Sequence, residues 1–166
     1  MSMTENESYD LNNSWKLWYH SINNNNWNNE SYNRLMSIDN LYDLQILTDT
    51  IDNISLQNGM FFIMKDDIFP TWEYPDNREG CSISFKVPAP LLKNSWDLLV
   101  TKTLTGDILK DKDKYCEING ISISPKKEFN ILKIWLKNNI SNYETFVNEY
   151  PPYFIKSKSV YKKHIE

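Results

Sequence analysis

Alternation of apolar and polar residues is the feature that most restricts how this chain can fold. In residues 81–87, Ile83, Phe85 and Val87 alternate with serine and lysine residues. Successive side chains of a strand point to opposite faces of a sheet, so this pattern predicts a strand with one buried face. Other stretches have apolar residues three or four positions apart, which is typical of helices. Strands interrupted by helices predict an α+β domain with a largely antiparallel sheet.

Two stretches have the apolar spacing of a helix. The first lies between Leu41 and Ile51 and has Asp39 as its expected N-cap. The second begins after Pro88, which is favoured at a helix start. Its apolar stripe consists of Leu92, Trp96, Leu99 and Val100, and Gly106 lies near its end. A third helix is predicted over residues 142–149, stopped by two prolines.

Further strands are predicted over residues 60–65, 121–123, 130–137 and 153–161. Residues 1–10 are polar and acidic and are expected to form a flexible tail, followed by a single domain over residues 11–166. A net charge of -4 disfavours a broad nucleic-acid-binding surface. The two cysteines, the polar start and the absence of a long apolar run favour a cytoplasmic protein without a membrane partner.

Two tryptophans occupy predicted loops. Trp27 lies in the asparagine-rich stretch 23–29, and Trp72 lies in the proline-flanked stretch 69–75, directly before Glu73. An indole in a loop gains free energy by stacking on a flat partner, and its face attracts cations. A stacking face beside a carboxylate matches guanine, a flat ring with adjacent N–H donors on one edge. A lone surface indole and a solvated carboxylate are the alternative interpretations.

The stretch 131–137 has one apolar and one mixed face. Leu132 and Leu136 share the face that is expected to pack under helices, whereas Lys133 and Trp135 share the other. Trp135 therefore fits either a core or a ligand surface with basic neighbours. The two histidines, His20 and His164, have no evident partner and receive no predicted role.

The order of these features resembles the translation initiation factor 4E family, whose members bind the 7-methylguanosine cap of messenger RNA. The resemblance is carried by residues 11–18, 38–44 and 67–73 and by Trp96, Gly106, Gly120 and Trp135 in family order. It implies a curved sheet of about eight strands, backed by three helices on its convex face, with the cap on the concave side. It also implies a role in translation initiation without enzymatic activity, cofactor or metal.

By this resemblance Trp27 and Trp72 enclose the methylated base, Glu73 accepts hydrogen bonds from its edge, and Trp135 lies against the methyl group. The cations expected to bind the cap phosphates are Lys126, Lys127 and Lys133, of which the adjacent pair also fits a role in solubility alone. Ser82 departs from the family, which tends to carry a phosphate-directed arginine there. Lys133 has the strand parity to compensate.

Gln45 is a second departure. The family usually has a tryptophan there, on the outer surface of the first helix, where a helical motif of a scaffold or inhibitor protein binds. An amide offers less apolar contact than an indole, although Leu41 and Tyr42 lie nearby. The sequence therefore leaves open a cap-binding repressor or decoy that does not recruit the scaffold. Hydrolysis of the cap bridge is a third hypothesis, for which no convergent set of carboxylates is evident.

Overall fold

One antiparallel sheet organises the computed structural model, which describes residues 9–165. Within these residues the strands are β1 (Asp10–Ser21), β2 (Asn33–Asn40), β3 (Gly59–Lys65), β4 (Cys81–Pro88), β5 (Ile118–Pro125), β6 (Phe129–Leu136) and β7 (Ser159–Lys163). Their order is β2-β1-β3-β5-β6-β4-β7, and every neighbouring pair is antiparallel. The predicted class and the curved, antiparallel sheet are confirmed, with seven strands where about eight were expected.

Helices connect the strands and back one face of the sheet. In the described part of the chain the α-helices are α1 (Leu41–Thr50), α2 (Asn53–Asn58), α3 (Pro75–Arg78) and α4 (Leu92–Leu104). Short 3-10 turns cover Asn29–Ser31, Ala89–Leu91, Lys112–Glu117, Tyr143–Thr145 and Lys156–Lys158. The predicted stripe of α4 is fully confirmed, since all four of its apolar residues are buried. Gly106, with a φ of +87°, ends this segment as predicted.

The two faces of the sheet carry separate apolar clusters. On the helix face, Leu132 and Leu136 of β6 join the main core beneath the helices, as predicted from strand parity. The other face, which we call the open face, is the concave one and has no helix packed over its centre in residues 9–165. Its cluster consists of Phe62, Met64, Ile68 and Trp135, with Trp18, Tyr32, Met60 and Tyr74 packed around it.

Gly120 of β5 allows β5 and β3 to approach each other closely beneath this cluster. It lies opposite Trp135 of β6, and a Cβ atom at this position would lie 2.3 Å from Met64 Sδ. The same atom would lie 2.6 Å from the carbonyl oxygen of Ile63. Close approach of a neighbouring backbone is a common reason for a glycine within a strand.

The first helix is capped by a different residue from the one predicted. The side chain of Asn40, not Asp39, accepts a hydrogen bond from Asp43 N at 2.9 Å. β2 and α2 were not predicted. β2 is an edge strand in which only Ile38 is buried, so it lacks the alternation of a half-buried strand. Asp52 caps α2 by accepting from Ser55 N.

The helix predicted over residues 142–149 is wrong. This segment contains only the 3-10 turn Tyr143–Thr145, because its polar groups bond to a distant loop instead of forming a helical ladder. The side chain of Asn148 donates to the carbonyl oxygens of Asp107 and Leu109 at 2.8 and 3.2 Å. An isolated bridge between Leu109 and Val147 fixes the same contact.

The first described residues connect β1 to α1. β1 begins at Asp10, and the carbonyl oxygen of Tyr9 accepts a hydrogen bond from Leu41 N at 2.9 Å. The Tyr9 ring also contacts the Tyr42 ring, with centroids 5.4 Å apart. Residues 1–8 of the predicted tail lie outside the described residues.

Candidate functional site

A cavity of about 460 Å³ lies where the middle of β1 and the start of β2 meet the loop between β3 and α3. Its lining residues are Lys16, Trp18, Asn29, Arg34, Asp67, Phe69, Thr71, Glu73 and Tyr74. Asn29 follows Trp27 by two positions, and Thr71 and Glu73 flank Trp72. The loops of both predicted base-stacking residues therefore border one cavity. Glu73 lines it directly.

Trp27 is half-exposed and stacks on a histidine that sequence reasoning left without a role. Its ring lies parallel to the buried ring of His20, with centroids 3.8 Å apart and planes 3° apart, and its exposed fraction is 53%. The Nε2 atom of His20 lies 2.8 Å from the carbonyl oxygen of Asn26, the residue before Trp27. Tyr32 packs edge-on against both rings. One face of Trp27 is thus covered by the protein, while about half of the side chain stays exposed.

The loop that carries Trp72 is held by a buried asparagine. The Nδ2 atom of Asn77 donates to the carbonyl oxygens of Phe69 at 3.0 Å and Thr71 at 2.9 Å. Its Oδ1 atom accepts from Asn119 Nδ2 of β5 at 3.0 Å. Because these bonds span the residues just before Trp72, they fix the loop while leaving the indole 47% exposed.

Glu73 creates a negative potential beside the cavity. Burial raises the pKa of Tyr32 to about 12, and the nearby Glu73 carboxylate contributes to the rise. The Tyr32 hydroxyl therefore stays neutral at physiological pH. A site with a free carboxylate and exposed indole faces is suited to a flat cation.

Trp135 lies on the open face, as strand parity predicted, and is buried there. Its Nε1 atom donates to the Ser122 hydroxyl at 3.0 Å, and Lys133 Nζ lies 5.8 Å from its ring centroid. The ring of His164 packs against it at 5.5 Å. Burial lowers the pKa of His164, and the charge of Lys133 lowers it further, while the hydrogen bond to the Asn77 carbonyl oxygen opposes both.

Three lysines bring positive charge to the neighbouring part of the open face. Burial lowers the pKa of Lys133, and the charges of Lys162 and Lys126 lower it further. Lys162 lies on β7 directly opposite Ser82 of β4, and Ser82 in turn pairs with Trp135. Lys126 is exposed on the turn after β5. Sequence reasoning did not select Lys162, because the pairing of β7 with β4 follows from the fold.

Lys127 and the predicted partner surface are exposed. Lys127 is exposed on the same turn as Lys126. Leu41, Tyr42 and Gln45 are exposed on the outer surface of α1, and the Gln45 amide lies 3.4 Å from the Asp49 carboxylate. This surface also exposes Ile46 to 55%.

Residues 9–165 contain neither a metal-binding cluster nor a membrane-spanning helix. No group of three or more histidine, cysteine, aspartate or glutamate side chains lies close enough together to hold a metal ion. No helix in this part of the chain is long and apolar enough to cross a membrane.

Comparison with known proteins identifies the family. The model of the eukaryotic initiation factor 4E family matches residues 10–151. The chain belongs to this family. It is 27% identical over 136 residues to eukaryotic translation initiation factor 4E of Dictyostelium discoideum, an alignment that covers 78% of this chain. The same alignment covers 52% of the Dictyostelium protein, so the chain spans about half the length of this relative.

Solved structures of family members share the fold. Ascaris suum eIF4E-3 in complex with the m7G cap superposes with a TM-score of 0.71 at 19% identity, covering 81% of this chain and 76% of that chain. Schistosome eIF4E complexed with m7GpppG and 4E-BP also gives 0.71, at 21% identity and with 81% and 75% covered. C. elegans eIF4E-3 with the 4E-binding protein Mextli and a cap analog gives 0.69 at 20% identity, covering 78% and 75%.

Proposed function

We propose that this protein binds the 7-methylguanosine cap of messenger RNA. Trp27 and Trp72 enclose the methylated base, Glu73 accepts hydrogen bonds from its edge, and Trp135 lies against the methyl group. Membership of the initiation factor 4E family and the cap complexes of its Ascaris and schistosome members support this ligand. The observation that carries the proposal is that Glu73 and the loops of both exposed tryptophans border one cavity.

The chemistry of the site favours the methylated base. Methylation gives guanine a delocalised positive charge, so each flanking indole adds a cation–π attraction of about 0.5–2 kcal/mol. The Glu73 carboxylate, which also raises the pKa of Tyr32, contributes about 1.5–3 kcal/mol through charge-assisted hydrogen bonds to the base edge. Unmethylated guanine keeps the hydrogen bonds to Glu73 but lacks the cation–π attraction.

The lysine cluster on the open face binds the phosphates of the cap. Lys133 and Lys162 are the central cations, with Lys126 beside them and Lys127 at the margin. Lys162 stands opposite Ser82, so a cation from β7 compensates for the arginine that the family tends to carry at Ser82. Flexible ammonium groups suit a phosphate chain, since they bind it as point charges without a fixed planar geometry.

The base site is tested by titrating the tryptophan fluorescence with 7-methyl-GTP and with GTP. We expect the methylated nucleotide to bind about 5- to 900-fold more tightly, because two cation–π contacts are added. Trp72→Ala and Glu73→Ala should abolish retention on a cap-analogue resin. Glu79→Ala is the matched control, since Glu79 is an exposed carboxylate that does not line the cavity. Normal retention of either site variant would refute the residue assignment.

The biological role follows from the ligand and from the surface of α1. The protein acts in the cytoplasm in translation initiation, without catalysing a reaction, by recruiting capped messages through a helical motif of a partner protein. The 4E-binding proteins in the complexes of its C. elegans and schistosome relatives support such a partner. The exposed Leu41 and Tyr42 supply the apolar contact. Recovery of intact m7GpppG after incubation with the protein and Mg²⁺ checks the non-catalytic part.

A cap-binding repressor or decoy is the second candidate function, and Gln45 is the observation that favours it. An exposed amide paired with Asp49 replaces the indole to which family partners bind. A pull-down with a peptide carrying the family's scaffold-binding motif separates the two roles. Binding that is lost in Leu41→Asp supports recruitment, whereas failure of a cap-competent protein to bind the peptide supports repression.

A further inference from the structure

His164, directly after the last residue of β7, joins two parts of the candidate site. Its Nδ1 atom lies 2.6 Å from the carbonyl oxygen of Asn77, and its backbone N–H group donates to the carbonyl oxygen of Gly80 at 3.0 Å. Its ring packs against Trp135, with centroids 5.5 Å apart. One residue therefore contacts both the segment that follows the Trp72 loop and the buried indole of the open face.

The segment that His164 contacts has little support of its own. α3 is a single turn of four residues, and no side chain caps its start. A helix this short is not stable by itself in water, because its nucleation costs more than one turn of hydrogen bonds returns. The position of Asn77 therefore depends on bonds from outside α3. Asn119 bonds to its side chain, and His164 bonds to its backbone carbonyl oxygen.

The chemistry of the imidazole suits this position. A carbonyl oxygen can only accept a hydrogen bond, so Nδ1 of His164 carries the hydrogen and donates it to Asn77. Burial lowers the pKa of His164, the bond to Asn77 raises it, and the charges of Lys133 and Lys162 lower it. The ring is therefore neutral at physiological pH. It can lie against Trp135 without placing a second positive charge beside a methylated base.

We propose that His164 is a positioning residue that fixes the Trp72 loop relative to Trp135, an inference that rests on the cap-binding function proposed above. Its bond to Asn77 holds the backbone from which the Asn77 side chain reaches two carbonyl oxygens of the loop. Its ring contact holds the same unit against Trp135. In this arrangement His164 acts on the base through these residues and not by touching the ligand.

The same end of the chain carries a cation of the lysine cluster. Lys162 lies two residues before His164 and opposite Ser82, so the two side chains share strand parity. Their roles are nevertheless separable. A residue that contacts the phosphates affects only ligands with phosphates, whereas a residue that positions the Trp72 loop affects the nucleoside and the nucleotide equally.

This difference is tested by fluorescence titration with 7-methylguanosine and with 7-methyl-GTP. His164→Ala should weaken both ligands by the same factor, about 3- to 10-fold, which corresponds to the loss of one hydrogen bond. His164→Asn keeps an N–H donor near the position of Nδ1 and should recover most of the affinity. His164→Phe keeps an aromatic ring beside Trp135 but has no donor, so its affinity should stay low.

A second measurement follows the loop without any ligand. Hydrogen exchange of residues 69–80, measured by mass spectrometry, should be faster in His164→Ala than in the wild-type protein. The amides of Asn77 and Gly80 are bonded within this segment and lose protection when the segment loosens. Exchange of α4 should stay unchanged. Ile165→Ala is the matched control, because Ile165 is the next residue and is 43% exposed, and it should alter neither affinity nor exchange.

The possible outcomes are distinct. Unchanged affinity or unchanged exchange of residues 69–80 in His164→Ala would overturn the positioning role. Wild-type affinity of His164→Phe would overturn it as well, and so would a His164→Asn variant as weak as His164→Ala. A loss confined to 7-methyl-GTP would place His164 in the phosphate site instead and contradict the proposal. Failure of the wild-type protein to bind 7-methyl-GTP would refute the cap-binding function itself, whereas the exchange measurement would still test the contact between His164 and the loop.

Discussion

Replacing Asn77 with alanine should loosen the loop that presents Trp72. The Asn77 side chain is completely buried and makes three hydrogen bonds, to the carbonyl oxygens of Phe69 and Thr71 and from the amide of Asn119. Alanine removes all three. The Asn119 amide keeps its bond to the Asp76 carbonyl oxygen, and the carbonyl oxygens of Phe69 and Thr71 keep their bonds from backbone N–H groups of the loop. The substitution should change the position of the loop without removing a cavity-lining side chain, because Asn77 itself does not line the cavity.

The expected magnitude follows from these three bonds. At about 0.5–1.5 kcal/mol each, their loss lowers the free energy of unfolding by about 1.5–4.5 kcal/mol, with a central value near 3 kcal/mol. For a protein of this size, about 3 kcal/mol corresponds to a fall in Tm of roughly 6–12 °C. Asn77→Asp should cost at least as much, because a carboxylate keeps an acceptor for Asn119 but offers no N–H group to the loop carbonyls.

Urea denaturation followed by circular dichroism measures the change in stability, and fluorescence titration with 7-methyl-GTP measures the effect on the site. Asn12→Ala, an exposed asparagine of β1, is the matched control and should lie within about 0.5 kcal/mol of wild type. A loss of less than about 1 kcal/mol for Asn77→Ala would refute the reasoning, since the three bonds are expected to contribute more. So would unchanged affinity together with the full loss of stability.

Three further changes test other parts of the molecule. His20→Ala should weaken 7-methyl-GTP binding several-fold, because it removes the ring that stacks on Trp27. His20→Phe restores a stacking partner and should recover part of the lost affinity. Equal affinity of the wild-type protein and both variants would contradict the stacking role. Lys162→Ala should weaken the binding of 7-methyl-GTP more than that of the nucleoside 7-methylguanosine. Lys163→Ala is the control, because Lys163 lies on the opposite side of β7, and it should change neither affinity. Gly120→Ala should lower the free energy of unfolding by about 1–3 kcal/mol, measured by urea denaturation, because its Cβ would clash with β3; a variant as stable as wild type would show that the strands can separate without cost.

Strand periodicity in the sequence was sufficient to predict much of this fold. The faces of β4 and β6 followed from alternation, because a shift of one residue would have moved Leu132 from the core to the open face. The stripe of α4 was equally clear, since its buried residues recur at helical spacing. By contrast, β2 is an exposed edge strand, and the segment before Pro151 obtains its hydrogen bonds from a distant loop. Neither arrangement has a local signal.

The candidate site was predictable only in part. Trp27, Trp72 and Glu73 could be selected because an indole in a polar loop is unusual, and Trp135 because of its strand parity. Residues that act through tertiary contacts gave no such signal. His20 shares the parity of Trp18 and so belongs to the open face, but its stacking on Trp27 depends on the path of the loop.

The structural roles of Asn77 and Lys162 could not be predicted from the sequence. A buried asparagine in a turn resembles any other turn residue until its partners are known. Lys162 becomes a neighbour of Lys133 only because β7 pairs with β4 in one register. Tertiary register, and not local preference, therefore decides which lysines come together on the open face.

The position of β7 in the sheet links the site to the order in which the chain is synthesised. This strand is an edge strand, pairs with β4 across more than seventy residues of intervening sequence, and lies near the C-terminal end of the chain. Contacts between segments so far apart in sequence form slowly, because the connecting chain must first be ordered. A nascent chain that already exposes both loop tryptophans would still lack Lys162 and His164, so the lysine cluster of the open face is completed only after both tryptophan loops have been synthesised.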